Sequence, residues 1–119
     1  MRPPPAPPAH DGEACIVTFG ARMWLWTTPH APAKWHFLTI DGDACEAIAA
    51  HEAMRRLEFG SGRGFGSVKV RAQVGGTQWN TSVFPSKEHE GYLLPVKAAV
   101  RKAEKLAVGD MIEGRLELI

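Results

Sequence analysis

The stretch Val68 to Pro85, VKVRAQVGGTQWNTSVFP, decides the fold. Two alternating runs flank Gly75-Gly76, and paired glycines between such runs specify a two-residue β-hairpin. The register follows from the turn. Val74 falls opposite Thr77, Ala72 opposite Trp79, Val70 opposite Thr81 and Val68 opposite Val83. These residues form the core face, with small Ala72 beneath large Trp79. Lys69, Arg71, Gln73, Gln78, Asn80 and Ser82 form the polar face. Pro85 is expected to end the hairpin.

Upstream, Glu13 to Thr27 alternates with Cys15, Val17, Phe19, Ala21, Met23 and Leu25 on one parity. This predicts a long strand, bent at Gly20 and serving two sides of a barrel. Lys34 to Ile40 predicts a second strand covered on both faces. Asp43 is read as an N-cap, with Glu46 completing a capping box, for a helix ending near Leu57. Its expected buried stripe is Ala47, Ala50, Met54 and Leu57. Glu52 and Arg56 are spaced as a surface ion pair. The glycine-rich run Gly60 to Gly66 lacks the Lys-Ser/Thr of a phosphate loop and precedes a strand, so it reads as a flexible connection.

Downstream, Tyr92 to Leu94 is extended and Pro95 is expected to open a second helix. Val96, Val100 and Ala103 should face inward, with Lys97 and Arg101 outward beside Lys102 and Lys105. Leu106 to Asp110 reads as a turn in which Gly109 permits the bend and Asp110 caps backbone N–H groups. Met111 to Ile119 is a last strand with Ile112, Leu116 and Leu118 on one face.

The chain has 119 residues and a formal net charge of +1. That length supports one domain, residues 11–119, after a disordered proline-rich tail over residues 1–10. No run approaches a membrane span and no export signal is visible, so a cytoplasmic location with reduced Cys15 and Cys45 is expected. The near-neutral charge disfavours nucleic acid as the main partner. The expected architecture is α+β and mainly β: a small closed or split β-barrel of five to six mostly antiparallel strands with two helices.

The blocks Phe19-x-Ala21 with Trp24 to Trp26, WHF (Trp35 to Phe37), GRGFGSV (Gly62 to Val68), GGTQWNTSVFP, YLLPVKAAVRKAE (Tyr92 to Glu104) and LAVGD (Leu106 to Asp110) resemble the family catalogued as Domain of Unknown Function 1905. The likeness covers nearly everything from Glu13 onward. It implies a small barrel with two helices, similar in shape to swapped-hairpin regulator barrels, and no established reaction. Asp41 stands where that family often has proline after the WHF strand, which bears only on the turn.

The chemistry legible in the residues is sparse. No Ser/His/Asp set or nucleophile elbow can be assembled, and no histidine or cysteine spacing suits a metal. No catalytic residue, metal or cofactor is assigned. His36, between two aromatics, reads as a structural histidine. The tryptophans and the basic residues suggest instead a non-enzymatic binding module for a small anionic molecule or short peptide. The candidate ligand residues are Arg71, Trp79, Asn80, Ser82, Tyr92, Lys97, Arg101 and Trp35. The alternative is a DNA-binding regulator using the basic helix face, with nucleic acid the less favoured partner. A monomer or small homo-oligomer is expected.

Overall fold

The hairpin forms in the predicted register. A computed structural model describes residues 15–30, 33–59 and 66–119. The predicted tail and the start of the first strand lie outside the described residues, as does the glycine-rich connection up to residue 65. β4 (Val68–Val74) pairs with β5 (Thr77–Ser86) through Val74–Thr77, Ala72–Trp79, Val70–Thr81 and Val68–Val83. Gly75 takes a positive φ of 59° at the first turn position, as a type II′ turn requires.

Around this hairpin stand β1 (Cys15–Arg22), β2 (Trp24–Thr27), β3 (Lys34–Ile40), β6 (Gly91–Pro95) and β7 (Met111–Leu118), with helices α1 (Gly42–Phe59) and α2 (Ala98–Glu104). The strands form a single antiparallel sheet in the order β1-β7-β4-β5-β6-β3-β2, curved into a half-barrel. The described residues thus form seven strands rather than five or six. The excess arises because the long run after residue 13 is broken in two. The break is at Met23, not at Gly20, which pairs in register with Glu113. The Met23 N–H donates to Asp110 O, and its carbonyl accepts from Gly109 N–H. A distant turn therefore takes both Met23 backbone groups, and the chain passes there from one edge of the sheet to the other.

Two prolines set the lateral pairing. In a two-residue hairpin the pair flanking the turn exchanges both hydrogen bonds, and every second pair does likewise. Odd residues of β5 therefore point their backbone groups at β4, and even residues point away. Pro85 is odd and has no N–H to give, so the β4 ladder stops at Val83. The strand does not end there, as the sequence suggests. It changes partner, pairing with β6 through Phe84–Leu93, Pro85–Tyr92 and Ser86–Gly91. Pro95 acts the same way one strand over. It sits where an N–H should donate to β5, and pairing between those strands goes no further than Leu93. On its other side β6 stays paired with β3 through Phe37–Pro95, and the Val96 N–H donates to His36 O at 2.9 Å. Pro95 is therefore the end of a strand and not the start of the helix, which begins at Ala98 after Lys97.

The core lies on the concave face. Val70, Ala72, Leu38, Ile40, Leu94 and Leu116 are fully buried there. Helix α1 seats Ile48 in it, with Ala44, Cys45 and Ala47 packed alongside. This corrects the predicted stripe: Ala50 is exposed, Met54 is 56% exposed and Leu57 80% exposed. The helix begins at Gly42, which puts Asp43 in its first turn rather than at the cap. Glu52 and Arg56 form the expected pair at 2.6 Å, worth a few tenths of a kcal/mol. Ala103 is exposed, so α2 anchors through Val100 alone, with Val96 buried just before it.

The turn before β7 is built as its residues suggest. Gly109 has φ 96°, and Asp110 Oδ2 accepts from the Ala107 N–H at 2.8 Å. Asp110→Ala removes that acceptor and should cost about 1 kcal/mol in denaturant unfolding. A loss near zero would mean that water serves the Ala107 N–H equally well.

Candidate functional site

Pro95 opens a cleft. β5 and β3 are both neighbours of β6, and beyond Pro95 the chain turns away into α2. Between them remains a cavity of about 480 Å³, walled by β5, the first half of β3 and the β6–α2 junction. Five predicted ligand residues line it: Trp35, Trp79, Asn80, Lys97 and Arg101. Ser82 lines a second depression of about 560 Å³ on the convex side, which shares Trp35, Asn80, Thr81 and Pro95 with the first.

The other two predicted residues stand elsewhere. Arg71 is exposed on the convex face, with Nη1 3.4 Å from Glu117 Oε1. Tyr92 is opposite Ile40 and buried in the core face, where burial, then Cys45 and Glu52, push its hydroxyl pKa up against the opposing pull of Arg56.

The tryptophans divide. Trp79 is 6% exposed and belongs to the core, although its edge reaches the cleft. Trp35 and Trp26 face each other across β3 and β2 and are 48% and 42% exposed. Trp24 is half-buried between Phe37 and His89, and its Nε1–H donates to Thr39 Oγ1 at 2.9 Å.

Among the described residues, every charged side chain lining the cleft is a cation: Lys34, Lys97 and Arg101. Arg101 is not on an outer helix face, as its spacing suggests. It is half-buried, with Nε donating to Val96 O at 3.1 Å and Nη1 3.4 Å from His36 Nε2. A guanidinium has only donors, so the ring nitrogen facing it is the one with the lone pair. The proton of neutral His36 is thereby assigned to Nδ1. Nδ1 is buried without a hydrogen-bond partner, and so is Trp79 Nε1. Both atoms are donors, and both rings line the same cleft.

The sequence reads His36 as structural and does not single out Lys34. The signal was available: His36 and Lys34 share a parity on β3, and Pro95 marks where that parity loses its cover.

Burial lowers the His36 pKa below its ordinary 6.5, helped by Arg101 and then Lys34. The fold thus holds the neutral ring. Above pH 6.5 neither folded nor unfolded chain carries the charge, and stability is full. As the pH falls below 6.5 the unfolded chain takes up the proton first, and stability is lost until the folded ring titrates at its lower value. The melting temperature of His36→Gln should therefore fall less than that of the natural protein over this window. Parallel curves would show that His36 is not the group responsible.

Cys45 gives no sign of a nucleophile. Burial, then Asp41 and Glu46, raise its thiol pKa, which keeps it protonated. Among the described residues no group of His, Cys, Asp and Glu could hold a metal ion, and no helix is long and apolar enough to cross a membrane.

The family model described as Domain of unknown function (DUF1905) matches residues 19–116. The chain belongs to this family. The match runs from Phe19 in β1 to Leu116 in β7 and so includes every element that walls the cleft. No curated protein matches the chain.

Proposed function

We propose that this member of the family is a non-enzymatic binding module. Its ligand is a small anionic molecule or short peptide, held in the cleft between β5 and the β6–α2 junction. The observation that carries this reading is the cleft's one-sided chemistry. Its charged lining is cationic, made by Lys34, Lys97 and Arg101. The volume of about 480 Å³ lies in the range of small-molecule sites. Trp35 supplies an exposed indole at the rim for the apolar part of the ligand.

The test is a thermal-shift screen of carboxylates and phosphates, followed by calorimetry on any that stabilise. Arg101→Gln should weaken binding by roughly tenfold or more, the worth of a charge-assisted hydrogen bond. If no anion shifts the melting temperature, or Arg101→Gln binds as well as the natural protein, the reading fails.

A further inference from the structure

The cleft has the shape of a missing strand. The observed register can be carried past the end of β6. Position 95 lies between Phe37 on β3 and, by extension, Ser82 on β5; position 97 would lie between Trp35 and Asn80. β3 and β5 therefore flank a lane two strand spacings across, on the order of 10 Å, which is the space for one extended chain. Residue 97 leaves the lane to begin α2, and the cavity stands where it left.

The β5 flank of the lane lies beyond the last pair that strand makes with β6. By the hairpin alternation, Asn80 and Ser82 turn their N–H and C=O groups away from β4; those of Ser82 face Pro95, and those of Asn80 face the lane. On the β3 side the His36 carbonyl is already taken by Val96, which leaves Lys34 as the next residue of that parity. Cations gather at the α2 end of the lane. At the other end Pro95 closes the lane, and the convex depression runs past it over Ser82 and Phe84, sharing Trp35 and Pro95 with the cleft. A ligand longer than the cleft thus has a lined path out.

We infer that the lane takes an extended peptide by its free C-terminal carboxylate. This inference rests on the binding reading above and narrows it to one ligand class. The last residue's main chain pairs with the β5 edge at Asn80. Its carboxylate sits against Arg101 and Lys97, and the Trp35 indole covers the preceding side chain. Strand addition supplies affinity that is indifferent to sequence, and the cations select the chain end. A free small anion would use the charge and leave the strand edges idle.

The experiment uses the full chain and three pools of N-acetylated random tetrapeptides. One pool ends in a free carboxylate, one in an amide, and one in a free carboxylate with its last peptide nitrogen methylated. Acetate, N-acetylglycine and inorganic phosphate are run beside them, and binding is read by amide NMR shifts and titration. The free-acid pool should bind at least tenfold more tightly than either modified pool and move the Asn80 amide. Arg101→Gln, or Lys97→Gln where the first variant has a lowered melting temperature, should erase the difference between acid and amide.

Equal binding by acid and amide pools overturns the inference, as does equal binding by the methylated pool. Small anions binding as tightly as the tetrapeptides overturns it while leaving the anion reading intact. No binding by any peptide or anion removes both.

Discussion

Gly91→Ala should lower the stability by about 3 kcal/mol, near the upper end of what overpacking costs. A Cβ at this position would stand 2.4 Å from Ile40 O and 3.1 Å from Ile40 C, both backbone atoms of β3. Neither can give way as a flexible side chain would. β6 cannot retreat either, because it is paired with β3 on one side and, from Gly91 itself, with β5 on the other. Relief requires parting one of the two ladders that hold the cleft open. Urea unfolding measures the loss. Gly76→Ala is the control, since a Cβ there meets nothing within 4 Å, and its effect should stay within about 0.5 kcal/mol. Equal effects at the two positions would mean that β6 does not lie against β3 as described.

Trp79→Ala should cost about 3–5 kcal/mol, the usual range for deleting a large buried aromatic. The indole is 6% exposed, stands opposite Ala72 and closes the core beneath the cleft. Trp79→Phe separates the two roles of this side chain. It keeps most of the apolar volume and removes the Nε1–H that has no acceptor. Deleting an unsatisfied donor recovers its desolvation cost, so this variant should lose less than about 1.5 kcal/mol. A phenylalanine variant as unstable as the alanine one would show that the N–H has a partner.

Much of the fold is legible in the residues because the decisive signals are local. The register of the hairpin follows from two glycines and the parity of valines around them. The Leu106 to Asp110 turn and the apolar face of β7 are equally local. What is not legible depends on partners far away in sequence. Met23 breaks a regular alternation only because the turn at Gly109 and Asp110 claims its backbone. Nothing near Met23 signals this, whereas Gly20 offers a misleading reason for a bend. In α1 the alanine-rich sequence suits two faces almost equally. The sheet supports only the end that holds Ile48, so Met54 and Leu57 project beyond it.

The candidate site divides along the same line. Trp35, Trp79, Asn80, Lys97 and Arg101 can be gathered from residue type and the hairpin faces. Tyr92 is misplaced because its parity on β6 is fixed by Ile40, a partner the sequence does not reveal. Arg71 has the right chemistry and the wrong position, two strands from the opening and beside Glu117. Pro85 and Pro95 are the instructive cases. Both are plainly breakers in the sequence. Which neighbour each one deprives of a hydrogen bond, and hence where the sheet parts, emerges only once the strand order is known.

Amide hydrogen exchange along β5 tests the parting of the sheet most directly. The N–H groups of Trp79, Thr81 and Val83 point to β4 and should be protected to nearly the global unfolding free energy. That of Asn80 points into the cleft and that of Ser82 faces Pro95 beyond the last β5–β6 pair, so both should exchange far faster. A sawtooth of this kind, with its slow members on odd residues, is the expected result. Uniform protection from Trp79 to Val83 would mean that β6 pairs with β5 beyond Pro95, and the cleft would not exist.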